Sequence, residues 1–337
     1  MNSQDWQPNA HSEMLQLRGA VNRTVRDFFH QRRVLEVETP LLAQHPVSDP
    51  YIECLRCSHQ GKPYYLQSSP EYAMKRMLAA GSGDIYSLAK VFRAGESGRR
   101  HNTEFTMLEW YREGFDDRQL MTELEALIQS VMPVFSEHHS NRASAERGAF
   151  RSILPVVYKS YGDLFCEHLS VDPHSASLAE LQACIDRHLD MGGYRCDDIS
   201  TALDVLISQH IEPQLPQGLV FIYDYPACQA ALARVMPDDQ GRLVAKRFEA
   251  FVDGMELANG YWELQDAQEQ RERFTADNQQ RRNRGLTEVS IDERLLAAMA
   301  SGLPDCAGVA LGLDRLLLQL SEAEHISEVL SFAWSRA

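Results

Sequence analysis

The segment KVFRAGESGRRHNTEFTMLEWYR joins a basic loop to an acidic, aromatic stretch. The loop carries Arg93, Arg99 and Arg100 around a Gly-Glu-Ser-Gly turn. After it, polar residues alternate with Phe105 and Met107, and such period-two alternation predicts a half-buried strand. A guanidinium group suits a phosphate because it forms bidentate, charge-assisted hydrogen bonds. Arginines beside an acidic strand therefore indicate a ligand with both a phosphate and an amine.

Two further carboxylates, Glu249 and Glu256, lie in the segment RFEAFVDGMEL. Their spacing is an odd number of residues, so an unbroken strand would place them on opposite faces. Asp253 and Gly254 between them predict a tight hairpin turn, which could bring both carboxylates to one site. Two carboxylates and a nucleotide phosphate commonly hold Mg²⁺. From this segment alone, exposed strand acids are the simpler interpretation.

A last arginine, Arg315, follows the segment GVALGLD, in which Gly308 and Gly312 would let a ligand approach the backbone closely. Arg315 and Asp314 could equally be ordinary residues in the first turn of a helix. Neither G-x-G-x-x-G nor G-x-x-x-x-G-K-[ST] occurs in the chain. The sequence therefore supports neither a Rossmann site nor a phosphate-binding loop.

The elements that must position these residues predict an α+β fold, with an antiparallel sheet flanked by helices. A helix at 14–33 precedes a strand in VLEVETPLL, where Pro40 marks an end or an edge. PYYLQSSPEYAMKRMLAAG predicts strand, turn and helix, with Ser69 as the N-cap and Pro70 as the first helical residue. The strands on either side of the basic loop predict a hairpin with a long tip. GVALGLDRLLLQL predicts a strand that leads into a helix.

The middle of the chain has a weaker pattern. A helix is predicted at 118–131, and from Pro133 to about Gly193 the clearest prediction is a helix at Leu178–Leu189. We therefore expect a single domain over residues 1–337, with a peripheral insertion at about 133–193. The segment DAQEQRERFTADNQQRRNRG predicts a charged helix with a solvated face.

The chain has 337 residues and a formal net charge of −15. Such a surface repels nucleic acid unless a local basic patch overrides it, so a basic or neutral protein is the more natural large partner. No stretch approaches the roughly 18 apolar residues of a membrane span, and the N-terminus lacks a signal pattern. We therefore expect a cytoplasmic protein with no membrane partner. The seven cysteines, including Cys54 and Cys57 of a C-x-x-C, are expected to be reduced thiols that pack as small hydrophobes.

In order along the chain, these pieces resemble the catalytic domain of class II aminoacyl-tRNA synthetases. RHNTEFTMLEWY, RFEAFVDGMELANGYWEL and GVALGLDR resemble the lysine-specific branch, and the similarity runs from about residue 12 to the C-terminus. Only about a dozen residues precede the first predicted helix, so we expect no anticodon-binding barrel. The whole chain is thus similar to paralogues of lysyl-tRNA synthetase that attach (R)-β-lysine to translation elongation factor P. The negative charge agrees, because a tRNA binder would need a basic face.

The resemblance implies roles for individual residues, with ATP as the cosubstrate and Mg²⁺ as the cofactor. It implies catalytic roles for Arg93, Glu256 and Arg315, and metal binding by Glu249 and Glu256. The residues that it assigns to ATP are Arg93, Ala94, Gly95, Asn102, Glu256, Leu257, Gly312 and Arg315. The residues that it assigns to the amino acid are Ser69, Pro70, Glu71, Tyr111, Glu263 and Ala310. Acidic partners suit a diamino substrate, since burying an unpaired cation is costly.

The chain departs from the family pattern at one point. The family has Arg-x-Glu after the first strand of the long hairpin, whereas this chain has Arg93-Ala94-Gly95-Glu96. Either Glu96 reaches the ligand through a flexible Gly95, or that contact is lost. Lysyl synthetases also have Gly where this chain has Ala310, which we expect to favour (R)-β-lysine over α-lysine.

Alternative functions and the oligomeric state also follow from the resemblance. The chain could charge tRNA or another amine, or it could be an inactive regulatory paralogue. The joint presence of Arg93, Glu249, Glu256 and Arg315 argues against inactivity. The first helix and the strand near Pro40 resemble the family's dimer interface. A homodimer is therefore expected, with the helix positions Val21, Val25 and Phe29 partly facing the partner.

Overall fold

The computed structural model of the protein describes residues 6–141 and 153–337. The helices are α1 (Ser12–Gln31), α2 (Glu71–Ala79), α3 (Asp117–Asn141), α4 (Tyr161–Leu169), α5 (Leu178–His188), α6 (Ile199–Leu206), α7 (Ala267–Asn283), α8 (Glu293–Gly302) and α9 (Leu313–Leu320). The strands are β1 (Leu35–Glu36), β2 (Leu42–Ala43), β3 (Arg56–His59), β4 (Lys62–Leu66), β5 (Ile85–Phe92), β6 (Glu104–Glu113), β7 (Val156–Ser160), β8 (Leu219–Pro226), β9 (Val235–Pro237), β10 (Leu243–Val252), β11 (Met255–Trp262) and β12 (Cys306–Gly312). None of the helices in these ranges is both long and apolar enough to cross a membrane.

The chain divides into two compact units. The first comprises Met1–Arg151 and Gln265–Ala337, and the second comprises Ser152–Leu264. Most strand pairs in both units are antiparallel, and helices flank the strands, so the predicted α+β fold is confirmed. The prediction of one domain with an insertion at about 133–193 stays a prediction.

In the first unit, β6 is the central strand of the order β1-β5-β6-β12. β5 and β6 form the predicted hairpin, β12 pairs antiparallel with β6, and β1 pairs parallel with β5. A second sheet has the order β2-β4-β3. The core beneath β6 contains Trp110, Tyr86 and Phe29, whose ring stacks on that of Tyr86 with centroids 4.4 Å apart. The hairpin of β5 and β6 is therefore packed on buried aromatic side chains.

The first helix, α1, has the apolar face that the sequence predicts, but this face lies inside the protomer. Val21, Val25 and Phe29 have no exposed surface within the chain itself. The prediction that these residues partly face a partner subunit is therefore wrong. Their helical spacing is explained by the intramolecular core, because a buried stripe gains more from packing in the same chain than from an interface.

The strand predicted around Pro40 is not continuous. The structure instead has β1, which pairs with β5, and β2, which pairs with β4 in the other sheet. Proline cannot donate a backbone hydrogen bond to a ladder, so it separates the two pairings. The start of α2 also differs by one residue, because Pro70 is the N-cap and Ser69 Oγ accepts the Glu71 N–H at 3.0 Å.

One helix is longer than its sequence-based prediction, and another has a buried face that was not predicted. α3 does not end near residue 131 but passes through Pro133, with buried Val131 and Phe135 on either side of the proline. Core packing on both sides therefore outweighs the hydrogen bond that proline removes. α7 has the predicted solvated face, and its opposite face is buried at Phe274 and Arg281. The Arg281 guanidinium bonds to the carbonyls of Thr287 and Asp49.

In the second unit, the strand order is β11-β10-β8-β7, and β9 also pairs with β10. β10 pairs antiparallel with β8 and β11, whereas β7 pairs parallel with β8. The buried faces of α4, α5 and α6 form the core with β8. A capping box of Ser177 and Glu180 begins α5, as predicted near Leu178. The hairpin that carries Glu249 and Glu256 belongs entirely to this unit.

Candidate active site

Glu109, in the middle of β6, is the centre of a polar cluster in the first unit. Its side chain is 2% exposed. The Ser69 hydroxyl donates to one carboxylate oxygen of Glu109 at 2.6 Å, and the Tyr111 hydroxyl donates to the other at 2.7 Å. Glu71 and Lys75 of α2 complete this group, since Lys75 Nζ donates to Glu71 Oε1 at 2.6 Å. We call Ser69, Glu71, Lys75, Glu109 and Tyr111 the amine cluster.

The amine cluster combines two carboxylates with one buried ammonium group. Burial first, and then the negative charge of Glu71, raise the pKa of Glu109 to about 7, while the hydroxyls of Ser69 and Tyr111 and the Lys75 charge act in the opposite direction. A carboxylate whose pKa is raised by burial and by a second carboxylate favours the approach of a cation. The arrangement is therefore suited to an ammonium group.

The sheet face around the amine cluster is lined by small residues. Glu109 is paired with Ser87 on β5 and with Ala310 on β12. Tyr111 is paired with Gly308 on β12. Because paired residues on neighbouring strands point to the same face, only small side chains flank the Glu109 carboxylate. The predicted substrate residue Ala310 thus adds its methyl group directly beside Glu109.

Arg93 follows β5 at the beginning of the hairpin tip. Its backbone N–H donates to the Thr103 carbonyl at 2.9 Å, which closes the base of the tip. The guanidinium lies 5.3 Å from the centre of the Phe105 ring and 3.7 Å from Glu96. Its Nε is buried and has no hydrogen-bond acceptor among the residues that the structure describes. The arginine is therefore oriented by neighbours and keeps a buried donor for a ligand.

The tip also contains three further predicted nucleotide residues, Ala94, Gly95 and Asn102. The Ala94 N–H donates to the Glu53 carbonyl at 2.7 Å, and Gly95 has a φ of 77°, which favours glycine. The Asn102 side chain donates to the Glu104 carbonyl at 2.6 Å and accepts the Trp334 N–H at 3.0 Å. Asn102 therefore fastens the tip to the C-terminal segment.

Arg315 lies at the beginning of α9, in the same unit as Arg93. Its Nη2 donates to His101 Nε2 at 2.6 Å, so the two predicted motifs meet at these side chains. A Cβ on Gly312 would lie 3.7 Å from the Arg315 side chain, which shows that the arginine folds back over this glycine. Asp314 next to it is buried and bonds to Arg18 and to the Thr106 N–H. The buried aspartate anchors the turn from which Arg315 projects.

Arg99 and Arg100 at the tip of the hairpin differ in their surroundings. Arg99 Nε donates to the Glu324 carbonyl at 2.9 Å, and the Arg99 carbonyl accepts the Ile326 N–H at 2.8 Å. Arg99 therefore connects the hairpin tip to the C-terminal segment through two hydrogen bonds. Arg100 is exposed.

The hairpin of β10 and β11 in the second unit, which we call the carboxylate hairpin, brings Glu249 and Glu256 to one face. Asp253 and Gly254 form its turn with φ values of 48° and 71°. The pairing shifts between Ala250 and Phe251, because Phe251 pairs with Glu256 and Ala250 with Ala258. Glu249 and Phe251 lie two positions apart on β10, and Phe251 pairs with Glu256, so the turn alone brings the two carboxylates to one face. Leu257 is the extra residue of a β-bulge, which pairs Asn259 rather than Ala258 with Glu249.

Negative charge accumulates around the carboxylate hairpin. Burial raises the pKa of Glu249, the Arg247 charge lowers it, and the Glu256 charge raises it again. Glu249 forms an ion pair with Arg247 and accepts from the Asn259 amide at 3.4 Å. Burial, and then the charges of Glu249 and Glu256, raise the pKa of Glu212 to about 7. The carboxylates therefore repel one another beyond what Arg247 compensates.

The two predicted metal ligands fit a magnesium ion by the chemistry of their donors. Mg²⁺ is usually held by one or two carboxylates together with substrate phosphates, and crowded carboxylates such as Glu249 and Glu256 gain from a divalent cation. Among residues 6–141 and 153–337, no group of three or more His, Cys, Asp or Glu side chains is arranged to hold a metal. A metal held by these two residues would thus need further oxygens from a bound nucleotide.

The remaining predicted residues lie where the strands place them. Leu257 is buried at the bulge, and Glu263 is buried directly after β11. The Arg234 guanidinium bonds to the Glu263 carbonyl, which fixes the backbone at this position. Pro70 is the N-cap of α2, between Ser69 and Glu71. All seven cysteines are free thiols.

The sequence-based reasoning missed Glu109, Lys75, Arg247 and Glu212. The sequence could have indicated Glu109 as a site residue, because period-two alternation along β6 puts it on the face of Met107 and Tyr111. The sequence could also have indicated Lys75 as a partner of Glu71, since it lies four residues later on a predicted helix. Arg247 lies two residues before Glu249 on the same strand face. Glu212 had no local signal, because only the fold of the second unit brings it near the carboxylate hairpin.

Comparison with known proteins covers nearly the whole chain. Residues 2–336 match the family described as tRNA synthetases class II (D, K and N). A protein of Vibrio cholerae named elongation factor P–(R)-β-lysine ligase is 43% identical, over 100% of both chains. Proteins of the same name from Pectobacterium atrosepticum and Haemophilus influenzae strain PittGG are each 42% identical, over 98% of both chains. The chain therefore belongs to the class II tRNA synthetase family of the D, K and N type.

Proposed function

We propose that the protein is a ligase that activates (R)-β-lysine with ATP and transfers it to a lysine side chain of translation elongation factor P. The observation that carries the proposal is the amine cluster, in which two carboxylates and two hydroxyls surround a position suited to an ammonium group. The names of the full-length relatives support the same substrate and the same acceptor.

The amine cluster binds one ammonium group of the substrate. Glu109 is the main acceptor, because its carboxylate already receives two neutral donors and has no ion pair of its own among the contacts that orient it. Tyr111 and Ser69 hold this carboxylate in place. Glu263 is the buried acid that would bind the other amino group, and the Ala310 methyl limits how a substrate can lie beside Glu109.

The arginines bind the phosphates of ATP. Arg93 contacts the α-phosphate, where negative charge develops during adenylate formation, and Arg315 contacts the γ-phosphate. Gly312 beneath Arg315 permits close approach of the nucleotide to the backbone. Glu96, which lies 3.7 Å from Arg93, orients that guanidinium. Glu96, whose spacing from Arg93 departs from the family pattern, is thus given the role of positioning this arginine.

Glu249 and Glu256 are the residues that would hold Mg²⁺. When bound, the ion would neutralise charge on the phosphates of ATP. The ion pair with Arg247 and the hydrogen bond from Asn259 hold the Glu249 carboxylate in a fixed position. Glu256 lies on the same face of this hairpin, because it pairs with Phe251, two residues after Glu249.

The chemistry proceeds in two displacements. A carboxylate oxygen of (R)-β-lysine attacks the α-phosphorus of ATP, pyrophosphate leaves, and the mixed anhydride forms. A neutral amine of the acceptor then attacks the activated carbonyl carbon, AMP leaves with the bonding electrons, and the amine loses a proton as the amide forms. Alignment and charge neutralisation can carry both displacements, so no nucleophilic side chain is required.

The acceptor and the cellular location follow from the same proposal. The acceptor is elongation factor P rather than tRNA, in keeping with a net charge of −15 that repels a nucleic-acid backbone. A translation factor acts in the cytoplasm, so we expect the protein to work there.

We further propose a homodimer whose interface includes the segment around Pro40. Leu35, Leu41 and Leu42 are 55%, 42% and 49% exposed within the protomer, so apolar side chains lie at the surface beside β1 and β2. Neighbouring exposed leucines commonly mark a protein interface. Light scattering at micromolar concentration would show twice the chain mass, whereas a monomer would contradict the proposal.

The activation half of the proposal can be tested without an acceptor. ATP–pyrophosphate exchange should depend on (R)-β-lysine and should be slower with α-lysine. This outcome would also exclude an inactive regulatory paralogue. No exchange with any lysine isomer, in a folded preparation that contains Mg²⁺ and ATP, would contradict the proposed function.

A further inference from the structure

Lys75 lies inside the amine cluster, although its charge has the same sign as the group that this cluster is proposed to bind. Its side chain is only 2% exposed, and Nζ donates to Glu71 Oε1 at 2.6 Å. A lysine this buried is rare unless it is paired, because removing an ammonium group from water is costly. The two residues lie four positions apart on α2, which places them on the same helix face.

The two carboxylates of the cluster are compensated in different ways. Glu71 has a cationic partner in Lys75, and its backbone N–H donates to the Ser69 hydroxyl. That same hydroxyl donates to Glu109, which otherwise receives the Tyr111 hydroxyl. Glu109 is thus oriented by neutral donors, while the positive charge of Lys75 is paired with Glu71.

The other elements packed against Glu109 add no charge. The paired residues are Ser87 on β5 and Ala310 on β12, both uncharged. Within the first unit, the charged groups that act on Glu109 are therefore Glu71 and Lys75, and their effects on its pKa are opposite.

We propose that Lys75 is a built-in counter-ion that reserves Glu109 for the substrate. By neutralising Glu71, it leaves the amine cluster with one uncompensated carboxylate, which matches one ammonium group. Lys75 is a positioning residue in this scheme, because it contacts Glu71 and not the substrate. The inference rests on the proposed function, since it assumes that the cluster binds an amine.

A measurable proton coupling follows from this charge balance. Glu109 has a pKa of about 7 without substrate, so it is largely protonated below that pH. A bound ammonium group favours the ionised carboxylate, and Glu109 therefore releases its proton to solvent on binding. The apparent affinity for the amine should rise with pH through about 7 and then level off. Removing the Lys75 charge should move this midpoint upward.

The test compares Lys75→Met, Glu71→Gln and the double variant Glu71→Gln/Lys75→Met. The KM for (R)-β-lysine is measured against pH by ATP–pyrophosphate exchange, and proton release on binding is measured by calorimetry in two buffers of different ionisation heat. Lys75→Met should raise the midpoint by about one pH unit, the size expected when a nearby opposite charge is lost. Glu71→Gln should lower it. The double variant should return it close to that of the wild type, because both charges are gone.

Each outcome bears on the proposal. Midpoints that do not move in any of the three variants, or a double variant that stays shifted, would overturn the counter-ion role. If Lys75→Met folds poorly, Glu71→Gln and the double variant still decide the question. Glu109→Gln provides the reference, because it should abolish the pH dependence altogether. A wild type that neither binds nor activates any lysine isomer would overturn the proposed function itself, which is a distinguishable result.

Discussion

The amine cluster and the carboxylate hairpin both crowd glutamates together, but they balance the charge differently. In the amine cluster, Lys75 neutralises Glu71, and Glu109 is held by two hydroxyls. In the carboxylate hairpin, Arg247 pairs with Glu249, yet burial and the remaining negative charge raise the pKa of Glu212 to about 7. The first arrangement suits a single positive charge, and the second suits a divalent ion. The same residue type is thus directed to different ligands by its counter-charges.

The largest expected effect comes from the carboxylate hairpin. Glu256→Gln removes one of its charges while keeping the side-chain size. We expect the rate of ATP–pyrophosphate exchange to fall on the order of 10²-fold or more, as for other losses of charge stabilisation in a transition state. The KM for (R)-β-lysine should stay nearly unchanged. Steady-state kinetics over a range of Mg²⁺ concentrations measures both.

The control for this prediction is Glu167→Gln, which removes an exposed carboxylate of α4 in the same unit. It should leave the kinetics at wild-type values. A Glu256→Gln variant with near-normal exchange would show that Glu256 is not part of the proposed metal site. It would also contradict the assignment of the carboxylate hairpin to a divalent ion.

The opposite kinetic pattern is expected for the amine cluster. Glu109→Gln should raise the KM for (R)-β-lysine by roughly 10- to 100-fold, because a hydrogen bond to a charged group contributes about 1.5–3 kcal/mol. Its Mg²⁺ dependence should match that of the wild type. The matched control is Glu104→Gln, at the exposed beginning of β6. If Glu109→Gln lowers the affinity for Mg²⁺ instead, the amine cluster and the carboxylate hairpin do not have the separate roles proposed for them.

Glu109 should also make stability depend on pH in an unusual direction. Its pKa is about 7 in the folded protein against an ordinary 4.5, so the folded state binds more protons between these values. Stability from this group is therefore lost as the pH rises from about 4.5 to 7. Glu109→Gln should unfold at a higher denaturant concentration than the wild type at pH 8, with little difference at pH 5. An equal difference at both pH values would contradict the buried, titrating carboxylate.

A smaller effect is expected from Ala310, the neighbour of Glu109 on β12. Ala310→Gly should relax the preference for (R)-β-lysine over α-lysine, because a methyl-scale change in a packed site discriminates by about 1–3 kcal/mol. The ratio of kcat/KM for the two isomers measures this directly. Equal activation of both isomers by the wild type would show that the methyl group does not select the substrate.

The smallest effect is expected at the tip of the hairpin. Arg100→Ala should weaken docking of the acceptor by about 0.2–1 kcal/mol, the usual size for an exposed charge, and leave adenylate formation unchanged. The measurement is the KM for elongation factor P. A change in amino-acid activation instead would place Arg100 at the nucleotide.

Most elements could be predicted from the sequence because their signals are local. The alternation in β6, the Asp253-Gly254 turn and the strand-to-helix change at Gly312 all depend on neighbouring residues. The failures have non-local causes. Pro133 lies within α3 because buried residues on both sides hold the helix together. The apolar face of α1 was correctly identified, but its periodicity could not tell an intramolecular core from a subunit interface.

The candidate site shows the same division. Each predicted residue was read from a motif, but the pairing of Asn259 with Glu249 depends on the bulge at Leu257, which the residue types do not indicate. The pairing of the charged side chains could not be predicted from the sequence either. Lys75 and Arg247 were visible in the sequence, yet their partners are identified only by the ion pairs of the folded chain. Sequence thus predicted which residues carry charge, and the structure assigned how that charge is compensated.

Transfer to the acceptor is the most direct test of the proposed function. The enzyme, Mg²⁺-ATP and (R)-β-lysine are incubated with elongation factor P in one sample and with bulk tRNA in another. Intact-mass spectrometry should show a single β-lysyl addition on one lysine of the factor, and the tRNA should remain uncharged. Efficient charging of the tRNA with an unmodified factor would contradict the account and would make the protein an aminoacylating synthetase.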